Sequence, residues 1–112
     1  MITNVSRSAV LATQVDTASG FWAHFVGLMG RRRLPPGTAL VFPGARAVHT
    51  HFLRFPIDLV FYDRDGRVVA VVHRLPPWRV SPVCRPAAGV IELPAGTVSA
   101  AGTRPGDLLA FS

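Results

Sequence analysis

The sequence predicts a mainly β protein with a minor helical part: a small curved or barrel-like β-sheet with one amphipathic helix. Short runs rich in Val, Ile, Leu and aromatic residues alternate with turns rich in Gly and Pro, which is typical of strands. One segment changes to helical spacing. The runs "LVF" and "VVAVV" are continuously apolar, which predicts strands covered on both faces. Because one helix cannot cover both faces of a flat sheet, we expect the sheet to fold onto itself.

The N-terminal part predicts edge strands followed by the helix. Residues 2–15 carry short runs of Val, Ile, Leu and Thr, which favour one or two strands near a sheet edge. Apolar residues then recur every three or four positions across 21–29, and Asp16 or Thr17 can cap the helix that this spacing predicts. Three arginines at 31–33 follow, where a helix terminus favours positive charge, so we interpret them as a helix end rather than a phosphate site.

The rest of the chain predicts a succession of strands. "TALVF", "RAVHTHFL" and "IDLVFY" have strand composition, and "RVVAVVH" is predicted to pair with the last of them across "DRDG", where Gly66 can take a positive φ. Four prolines make "RLPPWRVSPVCRPAAG" a predicted surface loop, because proline lacks the N–H that a sheet requires. "VIEL" predicts a buried strand, "PAGTVSAAGTRPGD" a run of turns, and "LLAF" the last strand.

Length and composition predict one compact domain over residues 1–112, located in the cytoplasm. With 49% hydrophobic and 16% charged residues, the chain lies outside the disordered class. It has no apolar stretch of about 18 residues that would predict a membrane span, and its start lacks a signal-peptide pattern. Cys84 is the single cysteine, which excludes an internal disulfide and agrees with a reducing compartment.

The net charge of +6 is the feature that could indicate a nucleic-acid partner. All twelve cations are arginine, however, and a chain without lysine indicates a coding preference for arginine more than selection for phosphate binding. No nucleic-acid-binding motif accompanies the charge. We therefore expect an unidentified small ligand or protein as the partner, and we do not favour nucleic acid.

Two histidines lie in the middle of the chain with the spacing of a metal chelate. On a strand, His49 and His51 project to the same side, with Cβ atoms roughly 7 Å apart. A third ligand would have to come from one of a few other side chains: His24, Asp58, His73 or Glu92. Because no second spaced pair accompanies the two histidines, we predict no metal site.

Two carboxylates interrupt apolar strands. Asp58 lies between Ile and Leu, and so does Glu92. Each carboxylate either accepts hydrogen bonds as a structural element, from backbone amides or from Arg54, or serves as a general acid or base in a cleft. We expect Arg54 to pair with Asp58 rather than to bind a substrate carboxylate.

Other residue types give little evidence of chemistry. Cys84 has a neighbouring arginine but no identified base, so we do not expect a nucleophile there. Trp78 lies beside prolines, where packing is the expected role. The sequence contains no GxGxxG, P-loop, GxSxG or HExxH motif, so we expect no cofactor and assign no catalytic residue.

Several ordered motifs together resemble a known family. They are "GLMGRRRLPPG", "VHTHFLRFPIDLVFYDRDGRVV", "LPPWR" and "VIELPAGT" followed by "GD". With these motifs the chain resembles domain-of-unknown-function family 192, a group of small prokaryotic β-rich domains. The resemblance implies a compact β fold and no established activity. The matching positions include His49, Arg54, Asp58 and Glu92.

These observations leave three hypotheses about function. The leading one is a non-enzymatic module that binds a ligand or partner through a polar cleft lined by His49, Arg54, Asp58 and Glu92. The second is a small hydrolase or lyase that uses Asp58 or Glu92 as acid or base. The third is a basic nucleic-acid accessory protein.

Overall fold

A computed structural model of the protein describes residues 1–17, 34–51 and 53–112, and these form a mainly β structure, as predicted. The strands are β1 (Ile2–Asn4), β2 (Ala9–Ala12), β3 (Gln14–Thr17), β4 (Thr38–Pro43), β5 (Ile57–Tyr62), β6 (Val68–Leu75), β7 (Gly89–Pro94) and β8 (Leu109–Phe111). A 3-10 turn, Val5–Arg7, follows β1, and a short helix α1, Thr97–Ala101, precedes β8.

The strands form two sheets. The small sheet has the antiparallel order β2-β1-β8. The large sheet has the order β3-β4-β7-β5-β6, in which β3 runs parallel to β4 and the other neighbours are antiparallel. Among the described residues neither sheet closes on itself, so the barrel-like alternative in the predicted fold class is wrong.

Two hydrophobic clusters explain why the large sheet does not need to close. On one face, Val60 and Ile91 pack with Ile2 of the small sheet and Val98 of α1. On the other face, Leu59 and other strand residues pack against side chains supplied by loops: Leu34, Leu53, Phe55 and Ala87. Both faces of the central strands are therefore covered, as their apolar sequences require, by a second sheet and by loops rather than by closure of the sheet.

The hairpin between β5 and β6 is confirmed. Gly66 in the turn has φ +86°, and a Cβ at this position would lie 2.9 Å from the carbonyl oxygen of Leu109. The Asp63 carboxylate accepts hydrogen bonds from the backbone N–H groups of Asp65 and Arg67, each at 2.9 Å. Glycine is therefore required at this turn for both its φ angle and its lack of a side chain.

Two segments differ from their predicted structure. Residues 46–51 of "RAVHTHFL" are not a strand: they form one bridge, between His49 and Val80, and otherwise pair with the opposite segment through separate hydrogen bonds, because that segment is rich in prolines that lack donors. "PAGTVSAAGTRPGD" contains the helix α1, which the sequence analysis missed because its N-cap, Gly96, supplies no capping side chain.

The predicted amphipathic helix lies outside the described residues. This applies to residues 21–29, to His24 and to the arginines at 31–33, whereas Asp16 and Thr17 belong to β3. In the described part of the chain, no helix has the length and hydropathy needed to cross a bilayer.

Candidate functional site

Asp58 is completely buried on β5, and backbone donors hold its carboxylate. One oxygen accepts a hydrogen bond from the N–H of Arg74 at 2.8 Å. The other accepts from the N–H groups of Gly96 at 3.0 Å and Val98 at 2.9 Å. The carboxylate thus joins β5 to β6 and caps α1, replacing the missing N-cap side chain. The predicted ion pair with Arg54 is wrong, since the arginine is exposed and does not bond to Asp58.

Glu92 lies at the centre of an apolar sheet face. Its register partners are Leu40 on β4 and Leu59 on β5, and directly opposed residues share a face. Glu92 is 7% exposed, and no described residue forms a hydrogen bond with its carboxylate. Burial raises the pKa of Glu92 to about 8, because the charged form loses its hydration. A carboxyl group in this state is mostly protonated at neutral pH.

The four residues of the predicted polar cleft do not converge. Asp58 is paired with Leu93, whereas Glu92 is paired with Leu59, so the two carboxylates project from opposite faces of the large sheet. His49 and Arg54 are exposed in the loop before β5.

The structure instead brings together three aromatic rings from two loops. The ring centroids of His49 and His51 lie 5.0 Å apart, and those of His51 and Trp78 lie 5.6 Å apart. Val80 forms the bridge with His49, and it is 63% exposed, while Trp78 is 56% exposed. Trp78 therefore packs against His51 while more than half of its surface faces solvent. We call the group formed by His49, His51, Trp78, Arg79 and Val80 the Trp78 surface.

A buried threonine fixes the backbone beneath this surface. Thr50 donates its N–H to the carbonyl of Arg79 at 2.8 Å and accepts the N–H of Trp78 at 3.1 Å. Its hydroxyl donates to the carbonyl of Pro76 at 2.6 Å and accepts the N–H of Arg79 at 3.0 Å. Trp78 itself has φ +62°, a left-handed conformation that is costly for a bulky residue. These hydrogen bonds of Thr50 hold that conformation in place.

The Trp78 surface lies in a region without acidic residues. No aspartate or glutamate occurs between Gly44 and Ile57 or between Gly66 and Ile91. Exposed cations in these segments include Arg46, Arg54, Arg79 and Arg85. The two loops that form the Trp78 surface therefore carry exposed arginines and no carboxylate.

Metal binding has no support in the described residues, which contain no cluster of three or more His, Cys, Asp or Glu side chains able to hold an ion. His73 lies away from the histidine pair, where its Nδ1 is 3.3 Å from the Ser99 hydroxyl. Free Cys84 is half-buried at the edge of the loop-covered cluster.

Comparison with known proteins identifies the family. The model of DUF192, an uncharacterised family, matches residues 2–111. The chain belongs to DUF192. This confirms the resemblance that the sequence motifs indicated.

Relatives of this DUF192 chain occur in archaea. A UPF0127 protein of Pyrococcus furiosus is 31% identical over 97% of this chain and 96% of the relative. A UPF0127 protein of Pyrococcus abyssi is 33% identical over 86% and 84% of the two chains. These names assign no activity.

Two crystal structures resemble the DUF192 fold described here. A protein of unknown function from Novosphingobium aromaticivorans has a TM-score of 0.68 and 24% identity, and the match covers 87% of this chain and 72% of that chain. This likeness concerns the fold alone. A proposed transcription regulator from Sinorhizobium meliloti has a TM-score of 0.64 and 29% identity, with coverage of 86% and 78%.

One further polar cluster of the DUF192 chain was missed by sequence reasoning. Asp107 is 5% exposed, and its Oδ2 accepts hydrogen bonds from Asn4 at 2.9 Å, from the Arg7 side chain at 3.1 Å and from the Arg104 N–H at 3.1 Å. Burial raises the pKa of Asp107, but these hydrogen bonds outweigh it and lower the pKa to about 2. The partners come from opposite ends of the chain, so no local sequence pattern could have revealed the cluster.

Proposed function

We propose that this DUF192 protein is a non-enzymatic binding module that contacts a protein partner through the Trp78 surface. The observation that carries the proposal is the state of Trp78, which combines a left-handed backbone with a largely exposed ring. Strained backbone conformations persist where surrounding structure enforces them and cluster at functional sites. Here the hydrogen bonds of Thr50 enforce the left-handed backbone of Trp78. Trp78 is more than half exposed to solvent as a result.

The composition of the surface supports a protein partner. Tryptophan and arginine are the residue types that dominate the binding energy of protein interfaces, and a polar rim around an apolar centre is typical of such sites. Trp78 and Val80 supply the centre, and Arg79 lies between them in sequence. Loops held rigidly by a scaffold are the usual carriers of such contacts.

The test separates strain from binding by using Trp78→Gly. Glycine accepts a positive φ without a steric cost, so we expect the midpoint of urea unfolding to stay the same or rise. Removal of the indole should abolish recovery of the partner when tagged variants are cross-linked in the native host and the captured proteins are quantified by mass spectrometry.

Val10→Ser is the matched control, because Val10 is 54% exposed on β2, outside the loops that form the Trp78 surface. It should recover the same proteins as wild type. Equal recovery by wild type and Trp78→Gly would contradict the proposal.

A second candidate is a small-ligand site or acid–base site at Glu92. A buried carboxyl group without a described hydrogen-bond partner and with a raised pKa favours chemistry or ligand binding at that position. Asp58 is less suited to acid–base work, because three backbone donors already occupy its oxygens. Turnover of an ester or glycoside panel that Glu92→Gln abolishes would favour the hydrolase or lyase over the binding module.

The proposal also includes a cytoplasmic location and one domain over residues 1–112, supported by the length of the chain and by its free cysteine. A nucleic-acid role is not favoured. The likeness to the proposed transcription regulator of Sinorhizobium meliloti points toward it.

A further inference from the structure

We infer that the partner presents to the Trp78 surface an extended, acidic segment that carries apolar side chains. This inference rests on the proposed function and names the chemistry of the partner. It comes from the distribution of charge around the surface, from the shape of the loops that build it and from the apolar side chains at its centre.

Acidic residues are absent from the two loops that form the Trp78 surface. A coding preference explains why the cations are arginine rather than lysine, but it does not explain where the acids are absent. Of the six acidic residues, Asp58, Glu92 and Asp107 are buried, and none of the six lies in the two loops. The loops therefore present uncompensated guanidinium groups, which bind carboxylates through paired hydrogen bonds.

The backbones of the two loops are hydrogen-bonded to each other. The carbonyls of Arg46 and Val48 accept the N–H groups of Cys84 and Ser81, each at 2.8 Å, and Thr50 continues this antiparallel ribbon. Ser81 and Thr50 are buried, whereas His49 and Val80 are exposed. Arg46 and Arg79 are exposed as well, so the paired segment presents both arginines and apolar side chains to solvent. At ~3.3 Å per residue, six fully extended residues reach about 17 Å, which is the upper limit on the length of partner segment that residues 46–51 can follow.

The centre of the Trp78 surface is apolar. Trp78 and Val80 are more than half exposed, and Val83, further along the ribbon, is 67% exposed. Valine offers no ring on which a nucleobase can stack, and single-stranded nucleic acid binds mainly by stacking and phosphate contacts. A polypeptide with alternating acidic and apolar side chains satisfies both parts of the surface.

The experiment selects binders from a random peptide library displayed on phage, with the full-length protein immobilised. We expect enriched peptides in which Asp or Glu alternates with aromatic or aliphatic residues. Fluorescence polarisation with the most enriched peptide should show that Trp78→Gly and Arg79→Gln each weaken binding by about tenfold or more. Higher salt should weaken binding as well.

Arg64→Gln is the charge-matched control, because Arg64 is exposed in the "DRDG" turn beyond the two loops. It should bind the peptide as wild type does. If the enriched peptides lack acidic residues, or if Arg79→Gln binds unchanged, the acidic segment is excluded, while dependence on Trp78 would still support the proposed function.

Two other probes complete the test: vesicles that contain phosphatidylglycerol and a single-stranded DNA oligonucleotide. Binding of either one through Trp78, without enrichment of acidic peptides, would overturn the inference and assign the surface to that class. If none of the three probes binds in a manner that depends on Trp78, both the inference and the proposed function fail.

Discussion

At the residue scale, a close cross-strand contact links Gly89 to Tyr62. The two residues are register partners on β7 and β5, and a Cβ built at Gly89 would lie 2.2 Å from the Tyr62 hydroxyl oxygen and 2.4 Å from the ring carbon that bears it. The centroid of the Phe111 ring, on β8, lies 5.2 Å from that of the Tyr62 ring. The absence of a side chain at position 89 therefore allows the tyrosine to lie across β7 and contact β8.

Gly89→Ala should destabilise the protein by about 1 to 3 kcal/mol, because the added methyl group must displace the tyrosine ring. The measurement is urea unfolding. In a background with Tyr62→Val the same substitution should cost much less, since the smaller side chain leaves space for the methyl group. Additive effects of the two substitutions would show that the contact does not determine the choice of glycine.

At the element scale, Asp58 determines whether α1 remains attached to the large sheet. Asp58→Asn replaces one acceptor oxygen with an amide donor, which then faces backbone N–H groups of Arg74, Gly96 or Val98. We expect a loss of about 1 to 3 kcal/mol in the free energy of unfolding, with faster hydrogen exchange at the amides of Gly96 and Val98.

Arg54→Met is the control for this prediction. The structure predicts a smaller loss of stability for this substitution than the sequence did. Sequence reasoning made Arg54 the partner of Asp58, so its removal would have been as costly as Asp58→Asn. Because Arg54 is exposed and unpaired with Asp58, we now expect an effect within about 0.5 kcal/mol, additive with Asp58→Asn. Strong coupling between the two substitutions would instead show that Arg54 and Asp58 form an ion pair.

Elements with a regular apolar pattern and a clear turn could be predicted from the sequence. The β5–β6 hairpin and the buried strand at "VIEL" are examples, because alternation and turn residues are local signals. The strand predicted at "RAVHTHFL" failed because pairing depends on what lies opposite, here a segment rich in proline. α1 was missed because the group that caps it comes from another element, β5.

At the scale of the whole molecule, the sequence predicted which residues of the candidate site are unusual but not how they are arranged. The sequence indicated His49, His51, Asp58 and Glu92 as unusual, and each does occupy a distinctive environment. It could not reveal that Asp58 and Glu92 lie on opposite faces, because that follows from the register between β5 and β7. Nor could it bring Trp78 beside His51, since that contact depends on the hydrogen bonds of Thr50 to a distant loop.

Two buried carboxyl groups should together set the dependence of the whole fold on pH. Glu92 has a folded pKa of about 8, above its ordinary value of 4.5, so the folded state retains a proton that the unfolded chain releases between those values. Stability from this group is complete below about pH 4.5 and falls as pH rises toward 8, by at most about 1.4 kcal/mol per pH unit. Asp107 acts in the opposite direction: its folded pKa of about 2 lies below 3.8, so its contribution is present above pH 3.8 and lost as pH falls toward 2.

We therefore expect the free energy of unfolding to be greatest near pH 4 to 5, on the acid side of neutrality, when urea unfolding is measured from pH 2 to 8. Glu92→Gln should flatten the decline between pH 5 and 8, because an amide does not release a proton. Asp107→Asn should instead weaken the dependence between pH 2 and 4 and leave the alkaline side unchanged. A wild-type profile that is level between pH 5 and 8 would show that the Glu92 carboxyl group ionises without cost, and that the apolar face around it admits water or a compensating cation.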